Sequence, residues 1–249
     1  MPAGTDLLGE FEVHSPDGIR RALAEGVSPT EPINGAPPID HLVATYLRSP
    51  RFAECLRVML DSGATVGNPL LESILLDDDS GLRDLLSSLP ECTRQKLNPL
   101  CAFTSCRGVS ALHICAEFNS TRCARVLLEN GADVNARADL DADGLGGQTP
   151  IFHAGNSIFN YCRPMLEILA DAGADLALRV AALLWGESMS WETVVHDISP
   201  LSYAQCGLYQ QFHRREEDVY SNISYLYRKR YDQESPVRNV PNRYLATGH

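Results

Sequence analysis

Three aspartates on alternate positions, Asp139, Asp141 and Asp143, run into Gly144 in the stretch DLDADG. Carboxylates at that spacing ahead of a glycine are how a calcium loop begins, because hard oxygen ligands on one flexible segment can wrap a hard cation. Such a loop also needs a bidentate carboxylate at its twelfth position. Counted from Asp139, that position is Pro150. Weak or incidental binding of calcium by Asp139, Asp141 and Asp143 therefore ranks behind an acidic, flexible contact loop, and a solvated loop without a role is the plainest alternative. No cofactor is expected.

Two other sets of residues carry chemistry by type. Cys92, Cys101, Cys106 and Cys115, with His113, are close enough in sequence to suggest zinc, but no C-x-x-C pair occurs and the intervals are irregular. His113 and the remaining histidines stand without the serine, cysteine or carboxylate pattern of a nucleophile site, so the chain is expected to be noncatalytic. The eight cysteines lie scattered in apolar helical patterns, which fits reduced, mostly buried thiols better than a secreted disulfide framework.

The elements that position these residues are legible as repeats. In GVSALHICAEFNSTRCARVLLENGADVNA, residues 108–136, Ser110 can cap a first helix, Ser120 a second, and Gly131 can end it in the left-handed region. Cys123, Val126 and Leu127 share one face of the second helix, opposite Arg122, Arg125 and Glu129. The same ending recurs at Gly26, Gly63, Gly131 and Gly173, always after an apolar residue or pair. Those spacings are one or two multiples of a unit of about 33 residues or slightly more. Such a helix pair cannot bury its apolar face alone and must stack on its neighbours.

These residues resemble the ankyrin repeat family. Its T-P-L-H-x-A pattern is matched by SALHICA at 110–116 and TPIFHA at 149–154, and more faintly by SPLSYA at 199–204 and PPIDHL at 37–42; NGADVNA closes the best repeat. The resemblance implies an all-α solenoid of about five to six helix-turn-helix repeats, some degenerate, with long finger loops. It is expected to form one domain over 1–231, with the best repeat at 108–136, others near 35–66, 67–100, 147–177 and 198–231, and a C-terminal tail at 232–249. Ser110, His113, Gly131, Thr149, Pro150 and Gly173 fall on motif positions, and the resemblance gives His113 a hydrogen-bonding role between adjacent repeats. In the unit at 147–177 the motif position belongs to Phe152, with His153 one place beyond it, so that turn is expected to be packed instead.

Placed in this register, the aspartate stretch is an enlarged finger. Asn135 stands fourteen positions before Thr149, about six more than an ordinary array needs. A second enlarged connection, Leu183 to Ser199, holds Trp185 and Trp191 among Glu187, Glu192 and Asp197. Tryptophan there either anchors an interface or tucks back over the last repeat. The expected partner surface combines Arg137, Asp139, Asp141 and Asp143 with Glu187, Trp191 and Glu192, and with first-helix residues Glu117, Phe118 and Asn119; Trp185 is included with its connection. The segment from Glu216, with Val219, Ile223 and Leu226 at helical spacing, is expected to cap the array.

Charge narrows the partner. The chain of 249 residues carries a net charge of -11, and Lys96 and Lys229 are its two lysines. A binder of phosphate backbones would carry the opposite balance, whereas a basic protein suits this one; acidity that serves solubility alone is the plainer alternative. No apolar run approaches the length that spans a bilayer, and the start lacks a leader pattern, so a cytoplasmic chain, monomeric when free and with neither membrane nor nucleic-acid partner, is expected. The sequence points to a protein-interaction module. A stand-alone acidic chain of this kind resembles bacterial ankyrin proteins, some of which neutralise a toxin, so an immunity role leads; an adaptor or scaffold is the alternative, and a metal-dependent regulator would rest on Asp139 to Asp143 alone.

Overall fold

The computed structural model describes residues 3–101, 104–187 and 189–236. Its helices come in consecutive pairs: α1 (Ala3–Glu12) with α2 (Pro16–Ala24), α3 (Pro38–Val43) with α4 (Phe52–Asp61), α5 (Pro69–Leu75) with α6 (Asp79–Ser88), α7 (Ala111–Phe118) with α8 (Thr121–Glu129), and α9 (Pro150–Gly155) with α10 (Arg163–Asp171). After a two-stranded hairpin, β1 (Val180–Trp185) and β2 (Thr193–Ile198), comes the pair α11 (Pro200–Gln205) and α12 (Glu216–Tyr231). First helices pack on first helices, α5 on α7, α7 on α9 and α9 on α11, while second helices form a parallel row from α6 through α8 and α10 to α12. Buried side chains from Leu7 to Leu226 join in a continuous cluster along these rows.

Local chemistry sets the ends. Proline opens α2, α3, α5, α9 and α11, where its missing N–H costs nothing and its fixed φ suits the first turn. Side chains of Ser15, Asn68 and Asp78 accept from the backbone N–H three residues on, each at 3.1 Å. The second helices α2, α4, α8 and α10 end at glycines with positive φ, Gly26 (98°), Gly63 (101°), Gly131 (79°) and Gly173 (90°). After each glycine the next N–H reaches back to a carbonyl five residues earlier, as in Ala132 to Leu127 (2.9 Å) and Ala174 to Leu169 (3.0 Å). The eroded copy at 67–100 lacks that glycine, and α6 runs instead into a 3-10 turn at Pro90–Arg94.

Within α8, Cys123, Val126 and Leu127 are buried, while Glu129 pairs with Arg83 (3.0 Å) at the surface. In α12, Val219, Ile223 and Leu226 are buried. Residues 237–249, most of the expected tail, lie outside the described residues.

The all-α expectation needs correction. β1 and β2 are antiparallel, with Val180 opposite Ile198 and Trp185 opposite Thr193. They span the second enlarged connection, a finger of the kind in which strand content can be accommodated beside the helices. Val180, Ala182, Leu183 and Trp185 are buried, and Gly186 (φ 72°) makes the first turn residue. A Cβ on Gly186 would sit 1.9 Å from the Trp191 ring, so the tryptophan closes down on a bare backbone. β-branched Thr193, Val194 and Val195 suit a short strand.

Candidate interaction site

The aspartate finger is a folded turn. Asp141 Oδ1 accepts from the N–H groups of Asp143 and Leu145, both at 2.9 Å, and the Asp141 N–H donates to the Leu145 carbonyl at 2.9 Å. Asp139 is ion-paired with Lys96, and its N–H donates to the Arg107 carbonyl at 3.0 Å. Asp143 and Arg137 are exposed. Two of the three carboxylates thus have separate local partners while Asp143 faces water, and among the described residues no group of three or more His, Cys, Asp or Glu side chains is arranged to hold a metal ion. One N–H past the tip, Gly146 donates to Ala182 at 2.9 Å, which ties this finger to β1. Arg107 then bridges to the second finger through Glu187 (3.1 Å). The structure therefore brings Arg137, Asp139, Asp141, Asp143 and Glu187 into one neighbourhood, and Glu192 is exposed at the start of β2.

Trp185 does not present itself to a partner. It is 1% exposed and stacked on Phe212 at a ring distance of 3.8 Å and an angle of 7°. Trp191 is half-buried, 4.6 Å from Trp185 and edge-on to Tyr46 at 6.4 Å. Of the two alternatives left open by sequence, Trp185 tucks back. An indole of that area gains more from a dry stack against the last helix pair than from water.

Glu117 is likewise displaced from the expected contact surface. It is 5% exposed, and its carboxylate accepts from Arg48 Nε at 3.0 Å and from His153 Nδ1 at 3.0 Å. Arg48, itself 4% exposed, also donates to the Thr45 carbonyl at 2.6 Å. Burial works against the Glu117 carboxylate, but the His153 hydrogen bond and the Arg48 charge outweigh it and bring its pKa down to about 2. Phe118 is half-buried beneath the Arg48 guanidinium, 4.3 Å from its ring centre, and Asn119 closes α7 in the left-handed region at φ 56°.

The cause is a covering that the repeat pattern does not announce. Every residue from Ala111 to Glu117 and from Pro150 to Gly155 is buried. Connecting segments lie over them: Arg48 from the α3–α4 connection, Thr104 from the segment before α7, bonded to the Tyr203 hydroxyl at 2.8 Å, and Arg214 from the α11–α12 connection, which donates to the Asn156 carbonyl (2.7 Å) and to the Tyr46 hydroxyl (3.1 Å). The inner face expected to bind a partner is thus occupied by the chain itself around α7 and α9.

His113 links neighbouring helix pairs. Its Nδ1 accepts from the Ser110 N–H at 3.1 Å, which leaves the proton on Nε2 to donate to the Gln148 carbonyl at 3.0 Å. Thr149 and Pro150 follow at the head of α9, both buried. Asn135 adds a second clamp beside Gly173, accepting from Asp175 N–H at 2.7 Å and donating to the Gly173 carbonyl at 3.3 Å. Phe152 packs in the core 5.8 Å from Tyr203, and its neighbour His153 carries the polar contact to Glu117. The pairing of His153 with Glu117 had no sequence signal beyond the offset of that histidine from its motif position.

Burial holds His113 neutral, with its pKa lowered to about 3, and burial together with the Arg48 and Arg51 charges lowers His14 to about 4. When unfolded, both histidines charge near pH 6.5. Protons therefore favour the unfolded chain: the histidine contribution is intact above pH 6.5 and is lost progressively as pH falls toward 3 to 4. Urea unfolding should show stability falling by up to about 1.4 kcal/mol per pH unit per histidine below pH 6. Equal stability at pH 7.5 and pH 5 would contradict this. Glu117 acts lower, its contribution present above about pH 4.5 and lost only toward pH 2.

The thiols of Cys55, Cys162 and Cys206 are unreactive by the same physics. Burial pushes Cys162 up to about 12 and Cys55 and Cys206 to about 11, so they stay protonated at neutral pH. Among the described residues no helix is long and apolar enough to cross a membrane.

Comparison with known proteins agrees with this geometry. The ankyrin repeat family profile matches residues 107–139, which span α7, α8 and the start of the aspartate finger. Transient receptor potential cation channel subfamily V member 2 of Homo sapiens is 32% identical over 129 residues, 49% of this chain and 15% of that protein. The chain therefore spans only a small part of that relative's length. With the paired helices, the glycine-ended turns and the His113 link, this makes the chain a protein that carries an ankyrin repeat, at residues 107–139.

Proposed function

We propose that this protein is a noncatalytic interaction module that binds a protein partner through its finger loops. Ankyrin repeats in general mediate protein–protein interaction. The observation that carries the surface assignment is the covering of α7 and α9 by the chain's own loops, which leaves the fingers as the projecting repeat surface. In this reading the helix pairs form a single solenoid of five to six repeats over 1–231. The contact strip comprises Arg137, Asp143, Glu187 and Glu192 with the half-buried Trp191, while Asp139 and Asp141 hold their finger in shape. Net charge of -11 suits a basic partner, whose approach such a strip would steer. The chain would act in the cytoplasm as a monomer. Its most specific form is an immunity protein that neutralises a toxin; the adaptor role is the alternative.

Exchange of Asp143, Glu187 and Glu192 for lysine should slow association with a partner recovered by affinity capture, and added salt should slow the unaltered protein in the same way. Glu129→Lys, on α8 away from the fingers, serves as control. Binding indifferent to the finger exchange but lost with Glu129→Lys would place the interface on the outer helices. Rescue of cells from a toxin by the unaltered chain, absent in the finger variant, would separate immunity from adaptor function.

A further inference from the structure

A groove at the far end of the helix pairs from the fingers has a different character. It is an open recess of about 1090 Å³, mouth included, between the start of α4 and the turns that join α5 to α6, α7 to α8 and α9 to α10. Phe118 and Tyr161 contribute aromatic surface and Arg57 and Arg122 line it. Its acidic residues are already committed: Glu54 to Arg20 at 3.0 Å, and Asp77 to Arg122 at 3.4 Å. The exposed guanidinium of Arg57, and that of Arg51 just before α4, make no ion pair or hydrogen bond among the described residues. Arg122 is held by two carboxylates, Asp77 and Asp79, so the positive charge open to a partner at this groove is that of Arg51 and Arg57.

Next to the groove, the turn into α10 places two successive residues in the left-handed region, Phe159 (φ 50°) and Asn160 (φ 57°). An aromatic side chain disfavours that backbone, yet Phe159 is 51% exposed and meets Tyr161 edge-on at 5.8 Å. Residues held in sparsely populated backbone regions cluster at ligand clamps and other functional sites.

We propose that this groove is a second docking surface, for an acidic peptide segment that carries an aromatic residue. Its carboxylates would meet Arg51 and Arg57, and its ring would lie against Phe118, Tyr161 and Phe159. Charge complementarity selects this occupant, since two guanidiniums suffice for a few carboxylates but do not make the extended basic field that a phosphate backbone or an anionic bilayer requires. The proposal is independent of the finger surface, and together the two faces would let one chain bridge a basic and an acidic partner.

Fluorescence anisotropy with a fluorescein-labelled peptide of glutamates around a central phenylalanine tests it. Saturable binding should weaken about a hundredfold in an Arg51→Glu, Arg57→Glu variant, about tenfold for each of the two charge-assisted hydrogen bonds lost. Phe159→Ala should weaken it several-fold, salt should weaken it, and lysine exchange of Asp143 and Glu192 in the fingers should leave it unchanged. Both arginines are exposed, and an unchanged melting curve verifies the fold. Absence of binding, full binding by the double arginine variant, or equal binding of a polylysine peptide would overturn the proposal. Tighter arginine-dependent binding of a single-stranded oligonucleotide, or of phosphatidylserine vesicles, would also overturn it.

Discussion

Replacement of Glu117 by alanine is expected to lower the unfolding free energy by about 3–5 kcal/mol, because it strands the Arg48 guanidinium in the interior. Arg48 is 4% exposed and draws its charge balance from Glu117 at 3.0 Å. Burial opposes the charge of Arg48, yet the carboxylate beside it raises its pKa further above the usual arginine value. For a chain of this length the melting temperature should fall by roughly 10 °C or more. The decisive comparison is a paired variant, Arg48→Met with Glu117→Leu, which removes both charges and should recover much of the loss. Chemical denaturation of the single and paired variants measures this directly. A single-variant cost below about 1 kcal/mol would mean that water reaches the pair and that the covering of α7 is loose.

The second large effect concerns the hairpin. Trp185→Ala should cost about 3–5 kcal/mol, the usual range for an aromatic residue removed from a core. Trp185 forms a small cluster with Cys206 and Phe212, apart from the main core, and Trp191 leans on it. Loss of the ring should therefore loosen the hairpin in particular. Trp191, then the sole tryptophan, should shift its fluorescence toward that of a solvated indole, and proteolysis should begin between β1 and β2. Trp185→Phe keeps a stack on Phe212 and should retain most of the stability. If Trp185→Ala melts within a degree of the unaltered protein, the hairpin is not fastened by this contact.

Much of the fold was legible because its signals are local. Gly131 and Gly173 end helices wherever the chain must enter the left-handed region, proline and serine open them, and the spacing of Cys123, Val126 and Leu127 or of Val219, Ile223 and Leu226 marks a buried face whatever lies opposite. The link from His113 to the next helix pair follows from a position in the repeat, which the family resemblance supplies. The α1–α2 pair was legible only at its close, at Gly26, since Ala3–Glu12 carries no repeat motif.

Tertiary structure decided what covers the inner helices, and with it the candidate site. Glu117 is a charged residue on a first helix, and nothing adjacent in sequence tells that Arg48, 69 positions away, will meet it. The same holds for Trp185, whose polar neighbours suggest exposure although its partner Phe212 comes from the next helix pair. Asp141 could have been a cation ligand or a turn cap, and the choice fell to the N–H groups of Asp143 and Leu145, which reach it first. The sequence by itself determined helices, their ends and their order, because those depend on side chains within one or two turns. Which charges are buried, which aromatic rings face water and which face of the array is open depend on loops that return from distant positions, and only packing assigns them.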